Sequence, residues 1–156
     1  MAQRELDNML GTTCWHVSAG GSTAPSFVLV LGEKVPRSTP LRNMAQPQQY
    51  REYRGSVELL IWSSWRLQNS TTVLATSDQG ERGLSQLASL NGQKVIGIKC
   101  LPPAWDLIID FSDGQRLLTF SDHLEPDASI SENWELWVDG RHLVAGPGNR
   151  LAQERK

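Results

Sequence analysis

The chain has 156 residues and a net charge of −2, with 39% hydrophobic and 21% charged residues. This length suits one domain with a sizeable apolar core, and the composition argues against a disordered chain or a membrane protein. The slight negative charge also argues against nucleic-acid binding, which needs a dense surface of Lys and Arg.

The apolar segments and the N-terminus predict a cytoplasmic protein. The longest apolar stretches, at 27–31 and 59–62, are far shorter than the roughly 20 residues that span a bilayer. Residues 1–10 carry charges where a secretory signal would be apolar. Because Cys14 and Cys100 are the two cysteines of the sequence, it has no disulfide framework. We therefore expect no contact with a membrane.

The first elements in chain order predict an internal duplication. Leu6 and Gly11 match Leu87 and Gly92 at a spacing of 81 residues. Each pair lies in a segment with apolar residues at helical spacing and a glycine just past its end, which predicts a short helix. An alternating strand follows in each half, and its inward positions also match at a spacing of 81 residues. These inward positions are Trp15, Val17, Ile96 and Ile98.

The next strands of the two halves also correspond. Continuous apolar runs at 27–31 and 107–111 predict a central strand in each half. In the second half, a tight turn at Asp113-Gly114 predicts a hairpin that leads into a third strand. The first half reaches its third strand, at 55–62, only after residues 33–54, which contain three prolines. We predict a loop or flap for residues 33–54.

The last strands begin with Trp65-Arg66-Leu67 in the first half and Trp134-Glu135-Leu136 in the second. The sequence thus predicts a mainly β or α+β fold with two pseudo-symmetric halves. Each half is an antiparallel meander of short strands with one short helix, and the two form a sandwich or a rolled barrel. We predict a single domain, 1–156, made of two repeats and a polar tail at 151–156. Repeat one, at 1–79, contains the loop at 33–54, and repeat two, at 80–150, contains an acidic loop at 121–133.

The apolar strand followed by Trp65-Arg66-Leu67, and then a short strand ending in Ser77-Asp78, resembles a signature of small uncharacterised bacterial proteins. The resemblance covers chiefly residues 55–79. It implies a compact bacterial cytoplasmic domain of unknown function, and it brings no catalytic residues. The second half departs from the signature, because Glu135 replaces the arginine.

Few residues suggest chemistry. Cys14 and His16 lie two apart on a predicted strand, an arrangement that suits a thiolate with its base or two metal ligands. The sequence has no second Cys-x-x-Cys or His-x-x-x-His pair that could complete a site. We therefore expect Cys14 to be a small strand residue and His16 to be a solvated neighbour. The acidic loop around His123 lacks the central glycine of a calcium loop, and we expect a solvated connection. We predict no catalytic, cofactor-binding or metal-binding residues, and no cofactor.

Six tryptophans are many for this length. Trp15, Trp65 and Trp134 occupy inward phases, so we expect them in the core. The other three are harder to place, and tryptophan is enriched where proteins contact partners. These three are Trp62, Trp105 and Trp137.

Charge is distributed unevenly, with a net charge of +4 in residues 34–54 and −8 in residues 106–139. We therefore predict a non-enzymatic cytoplasmic binding or assembly module with a protein partner. Immunity proteins, which neutralise toxins, offer an analogy for a small acidic domain of this kind. The candidate interface residues are Arg51, Tyr53, Arg54, Arg66, Asp122, Glu125 and Asp127.

Two alternatives stay open. The first is a small enzyme with a site between the two halves that uses Cys14, His16 or His123. The second is a homodimer in which the acidic half of one copy contacts the basic loop of another.

Arg66 and Glu135 occupy corresponding positions with opposite charge, so they are also predicted to form an ion pair if the pseudo-twofold axis passes nearby.

Overall fold

A computed structural model describes residues 2–19, 26–125 and 132–155. Within these ranges the chain forms three short α-helices and eleven β-strands. The helices are α1 (Ala2–Leu6), α2 (Gln48–Glu52) and α3 (Glu81–Gln86). The strands are β1 (Cys14–Ala19), β2 (Phe27–Pro36), β3 (Tyr53–Ile61), β4 (Ser64–Gln68), β5 (Val73–Thr76), β6 (Val95–Leu101), β7 (Asp106–Phe111), β8 (Arg116–Phe120), β9 (Trp134–Val138), β10 (Arg141–Ala145) and β11 (Leu151–Arg155).

The strands form two antiparallel sheets that share one hydrophobic core. Sheet 1 has the strand order β1-β2-β3-β9-β10-β11, and sheet 2 has the order β5-β4-β8-β7-β6. Alternate side chains of both sheets are buried in the same core, which places the sheets face to face. The predicted mainly β fold is therefore confirmed, and its form is a sandwich rather than a closed barrel.

The strand order shows the duplication directly. The first half contributes β1, β2 and β3 to sheet 1 and the hairpin β4-β5 to sheet 2. The second half contributes β6, β7 and β8 to sheet 2 and the hairpin β9-β10 to sheet 1. The order β1-β2-β3-β9-β10 in one sheet is thus repeated as β6-β7-β8-β4-β5 in the other. Each half exchanges its hairpin with the other half.

The junction between the halves is also symmetric. The amide of Gly11 donates to the carbonyl of Val95 at 2.8 Å, and the amide of Gly92 donates to the carbonyl of Cys14 at 2.7 Å. Both glycines follow a short helical segment and have positive φ values, +78° and +86°. The predicted helices closed by glycine are confirmed at both positions.

The first strand of each half contains a β-bulge that the sequence pattern does not reveal. The register shifts between Cys14 and His16 in β1, and at the same place, between Val95 and Gly97, in β6. The extra residue of each bulge leaves the alternation of the strand. Cys14 and Val95 therefore fill the inward positions, and both are fully buried.

The predicted inward positions of Trp15 and Ile96 are wrong for this reason. Trp15 is only half-buried, and Ile96 is 63% exposed. Val17 and Ile98, beyond the bulge, do pack against the core as expected. One inserted residue in each strand reverses the face of the residues before it.

The other two tryptophans predicted for the core are buried. Trp65 is 1% exposed and Trp134 is 0% exposed. The ring of Phe27 from sheet 1 meets Trp65 from sheet 2 at a centroid distance of 5.3 Å, edge to face. The indole nitrogen of Trp134 donates to the carbonyl of Trp105 at 2.8 Å, so a backbone group satisfies its polar atom.

Two predicted segments are more ordered than expected. The loop at 33–54 is reduced, because β2 continues to Pro36, α2 spans Gln48–Glu52 and β3 begins at Tyr53. Proline is tolerated at these places, because Pro36 ends a strand and Pro47 precedes the first helical residue. The predicted polar tail at 151–156 instead contains β11, which pairs with β10 at the edge of sheet 1.

The acidic loop predicted at 121–133 is described only at 121–125 and 132–133, and residues 126–131 lie outside the described residues. Among the residues that the structure describes, no helix is long and apolar enough to cross a membrane.

Candidate functional site

The outer face of sheet 1 carries acidic and aromatic side chains next to one another. Val57, Leu59 and Ile61 of β3 point into the core, so the residues between them point outward. Glu58 lies directly opposite Trp137 of β9 in the sheet register. Their side chains are therefore neighbours on the outer face.

A second set of contacts holds Trp137 in place. Glu135 accepts a hydrogen bond from the indole nitrogen of Trp62 at 2.8 Å, and its other oxygen lies 3.0 Å from Nε2 of His142. The His142 ring stacks on Trp137 with a centroid distance of 4.7 Å and an interplanar angle of 7°. The side chains of Glu135 and His142 are only 15% and 13% exposed. This cluster fixes the orientation of the Trp137 ring.

A cleft of about 540 Å³ opens beside this cluster. Its apolar lining, here called the floor, includes Val28, Leu60 and Trp137. Its charged lining, here called the rim, includes Glu58 on β3 and Asp139 in the turn between β9 and β10. An apolar floor with a few polar groups around it is the usual composition of a ligand-binding cleft.

Arginines complete the rim. Arg54 is exposed and belongs to the outward row of β3, two outward positions before Glu58. Arg141 pairs with Glu5 of α1, with 3.1 Å between the guanidinium and the carboxylate. Because Glu5 is almost fully buried, this pair anchors the end of the cleft.

The segment at 37–52, here called the flap, covers the outer face of sheet 1 next to the cleft. Tyr50 of the flap is 8% exposed, and its ring lies 4.6 Å from that of His16 on β1. Arg37 donates from Nε to the carbonyl of Tyr50 at 3.0 Å and lies over its ring at 4.8 Å. Val30, the outward neighbour of His16 in the register, is fully buried beneath this contact.

The flap and the cleft are electrostatically linked. Burial raises the pKa of Tyr50, and the nearby carboxylate of Glu58 raises it further. Glu58 itself accepts a hydrogen bond from the amide of Gly55 at 3.0 Å. Glu58 thus lies where the flap meets the cleft.

The structure brings one predicted interface residue, Arg54, into the cleft. Tyr53 precedes it at the first position of β3. Arg51 instead turns back on the flap, where Nε donates to the carbonyl of Gln46 at 3.2 Å and the guanidinium contacts the sulfur of Met44.

The remaining predicted interface residues lie elsewhere. Arg66 is on sheet 2, where it donates to Gln68 and lies over the ring of Phe120 at 5.4 Å. Asp122 accepts hydrogen bonds from the backbone and the hydroxyl of Ser64, and Glu125 is exposed. Asp127 lies outside the described residues.

The predicted ion pair between Arg66 and Glu135 is wrong. Arg66 lies on the outer face of sheet 2, whereas Glu135 lies on the outer face of sheet 1. Exchange of the hairpins places equivalent residues on opposite sides of the sandwich, so they do not meet. The predicted homodimer between the acidic half and the basic loop stays a prediction.

The residues of the enzyme alternative do not converge. Cys14 is fully buried, and burial raises the pKa of its thiol to about 12. Its sulfur donates to the backbone carbonyl of His16 at 3.6 Å, so the His16 ring is not its base. His123 instead places Nδ1 2.7 Å from the carbonyl of Glu132. A thiol that stays protonated and buried is a poor nucleophile.

Within residues 2–19, 26–125 and 132–155, no group of three or more His, Cys, Asp or Glu side chains is arranged to hold a metal ion. Asp127 of the acidic loop lies beyond these ranges.

Sequence reasoning missed most of the cleft. Trp137 was recognised as a candidate contact residue, but Glu58 and His142 were not. The signal that could have found His142 is the Asp139-Gly140 pair, whose φ values of 50° and 70° are those of a two-residue hairpin turn. That turn sets the register of β9 against β10 and so places His142 beside Trp137.

The comparisons with known proteins add no relative. No protein-family model matches the chain, and neither a curated protein nor a solved structure matches it. The resemblance of Trp65-Arg66-Leu67 to a signature of uncharacterised bacterial proteins therefore stays a prediction.

Proposed function

We propose that this protein is a non-enzymatic binding module that acts in the bacterial cytoplasm and receives a segment of a partner protein in the cleft on sheet 1. The observation that carries the proposal is the cleft itself, with its floor of Val28, Leu60 and Trp137 and its charged rim. Its volume of about 540 Å³ lies within the range of ligand-binding clefts. The free thiols of Cys14 and Cys100 support the location, because disulfides persist in oxidising compartments.

The duplication supplies an internal comparison that supports this choice of face. The pairing of Leu136 with Leu59 in sheet 1 corresponds to the pairing of Leu67 with Leu117 in sheet 2. The positions of Glu135, Trp137 and Glu58 are therefore equivalent to those of Arg66, Gln68 and Arg116.

If the scaffold itself required these residue types, both copies of the repeat would carry them. At these three positions sheet 2 carries basic and amide side chains in place of acidic and aromatic ones, although the five corresponding strands pair in the same order. Aromatic residues are enriched at binding hot spots. The difference between the copies therefore favours a ligand for sheet 1.

A peptide-binding experiment tests the proposal. A random dodecapeptide library is selected against the full-length protein, and bound peptides are mapped by amide chemical shifts in two-dimensional NMR. We expect the shifts to concentrate in β3 and β9 around Leu60 and Trp137. Leu60→Glu places a charge on the apolar floor, so it should weaken binding about tenfold or more.

Sheet 2 provides the matched control for that substitution. Leu118 is the equivalent of Leu60, because it pairs with Arg66 as Leu60 pairs with Glu135. Leu118→Glu should leave the affinity within about twofold of wild type, because a residue distant from the bound peptide contributes little to binding. Peptides that map to sheet 2, or equal losses in both variants, would show that the cleft is not the binding site.

A further inference from the structure

We propose that the partner segment presents a lysine or arginine side chain, and that its cationic group binds between the indole ring of Trp137 and the carboxylate of Glu58. This inference rests on the proposed function, because it names the chemistry of the segment that the cleft receives. It follows from the orientation of Trp137, the position of Glu58 and the charges around them.

Trp137 lines the cleft. One face of its ring is covered by His142 of β10, which stacks on it at 4.7 Å. Because β9 lies between β10 and β3, the opposite face is turned toward β3. Glu58 is the residue of β3 directly opposite Trp137. A cation over an indole face is attracted by the negative charge of the ring system.

Glu58 has the capacity to pair with such a cation. One of its oxygens accepts the amide hydrogen of Gly55 at 3.0 Å, and a carboxylate has about four acceptor sites in total. That hydrogen bond to the backbone holds the carboxylate in position and leaves it with further acceptor sites. An aromatic face and a carboxylate on adjacent strands together form two sides of a cation site.

The cleft also suits the aliphatic part of a long basic side chain. Val28 and Leu60 continue the apolar floor away from Trp137. Lysine and arginine side chains pack their methylene groups along apolar surfaces while the charged end reaches a polar partner. An acidic or purely apolar side chain would supply no positive charge to pair with Glu58.

The arginines of the rim define which end of the cleft accepts the cation. Arg141 is neutralised by Glu5 at 3.1 Å. Arg54 lies four residues before Glu58 on the same strand, a separation of about 13 Å between Cα atoms. Asp139, a second carboxylate of the rim, follows Val138, the partner of Val57, so it lies between Glu58 and Arg54 along the sheet. The Glu58 end therefore attracts a cation, and the Arg54 end repels it.

The equivalent place on sheet 2 is chemically opposite. Gln68 stands in place of Trp137, and Arg116 stands in place of Glu58. Arg116 is itself paired with Asp110 at 2.7 Å. Sheet 2 therefore presents neither an open aromatic face nor an open carboxylate at this position, and it serves as the built-in negative control.

A titration of the full-length protein tests the inference. The probes are N-acetyl-lysinamide and N-acetyl-norleucinamide, which has a similar aliphatic chain but no ammonium group. The readout is the indole N–H signal of Trp137, assigned from Trp137→Phe. We expect the lysine probe to bind about tenfold more tightly or better, since a cation over an aromatic ring beside a carboxylate contributes enough for that ratio.

Two variants distinguish a specific effect of the Glu58 carboxylate from a general effect of negative charge. Glu58→Gln keeps an acceptor for the Gly55 amide, so it should keep the fold and reduce the preference for the lysine probe to about twofold or less. Glu33→Gln removes an exposed carboxylate of the neighbouring strand and should leave the preference unchanged. Equal affinity for both probes, or an unchanged preference in Glu58→Gln, would overturn the inference.

The outcomes also distinguish this inference from the proposed function. If library peptides map to the cleft and keep their affinity when each Lys and Arg is replaced by norleucine, the cleft binds a partner by other contacts and this inference fails alone. If no peptide maps to the cleft, the proposed function fails. If free butylammonium binds at Trp137 more tightly than the lysine probe, the site belongs to a small organic cation and both proposals are overturned.

Discussion

At the scale of single residues, His16 reports on the contact between the flap and β1. Its ring lies 4.6 Å from Tyr50 and its Nε2 lies 3.3 Å from the side-chain oxygen of Gln46. Burial lowers the pKa of His16 below its ordinary value of 6.5, against an opposing effect of Gln46. The folded protein therefore prefers the neutral ring.

This lowered pKa predicts a pH dependence of the free energy of unfolding. Between the two pKa values the unfolded state binds more protons than the folded state, so stability rises with pH. The contribution is complete above pH 6.5 and is lost as the pH falls toward the lower pKa of the folded state. His16→Phe keeps an aromatic ring beside Tyr50 and should flatten this part of the curve in urea denaturation series at pH 5 to 8. An identical slope in wild type and His16→Phe would contradict the assignment.

At the scale of elements, the sequence revealed the strands better than the faces that they bury. The central strands at 27–31 and 107–111 lie where the apolar runs predicted them, although burial alternates along β7, whose outward face is not fully covered. β1 and β6 were assigned the wrong face at Trp15 and Ile96, because a bulge adds one residue without an apolar signal. Local pattern cannot show a bulge that the neighbouring strands impose.

Gly55 on β3 provides a test of strand packing next to the cleft. A Cβ atom there would lie 2.6 Å from the carbonyl oxygen of Leu31 and 2.8 Å from that of Val57. Because these are backbone atoms, they cannot move aside without distorting the sheet. Gly55→Ala should therefore lower the free energy of unfolding by about 2 kcal/mol, within the range for overpacked sites.

Gly97 on β6 is the matched control, because it also lies within a strand beside a bulge. A Cβ atom at Gly97 would come no closer than 3.4 Å to a side-chain oxygen of Asp110, an ordinary contact. Gly97→Ala should change the free energy of unfolding by less than about 0.5 kcal/mol in urea denaturation, as for substitutions that create no clash. Comparable losses in the two variants would show that the crowding at Gly55 has no energetic effect.

At the scale of the whole molecule, the duplication explains what the sequence could and could not predict about the site. Matching positions at a spacing of 81 residues identified the repeat, and the pairs Leu6 with Leu87 and Val17 with Ile98 do face the core. The cleft instead depends on strand β3 of one half lying beside β9 of the other. Nothing local in either segment indicates that Glu58 and Trp137 become neighbours.

The exchange of hairpins also predicts how the molecule folds. Residues 1–79 contain three strands of sheet 1 and two of sheet 2, and residues 80–156 contain the complementary set. Either part alone would leave its meander without the opposing sheet and its hairpin without a neighbouring strand. Short meanders and isolated hairpins are at best marginally stable in water.

We therefore expect the separate fragments 1–79 and 80–156 to be unfolded, with poorly dispersed amide signals in two-dimensional NMR. Mixed in equal amounts, they should associate and recover the dispersed spectrum of the intact chain, because the interface between them is the core itself. The intact chain should unfold in one transition when followed by tryptophan fluorescence and by far-ultraviolet circular dichroism. A fragment with a dispersed spectrum of its own would mean that its half carries a sufficient core. Two separate transitions in the intact chain would mean that the shared core does not couple the halves.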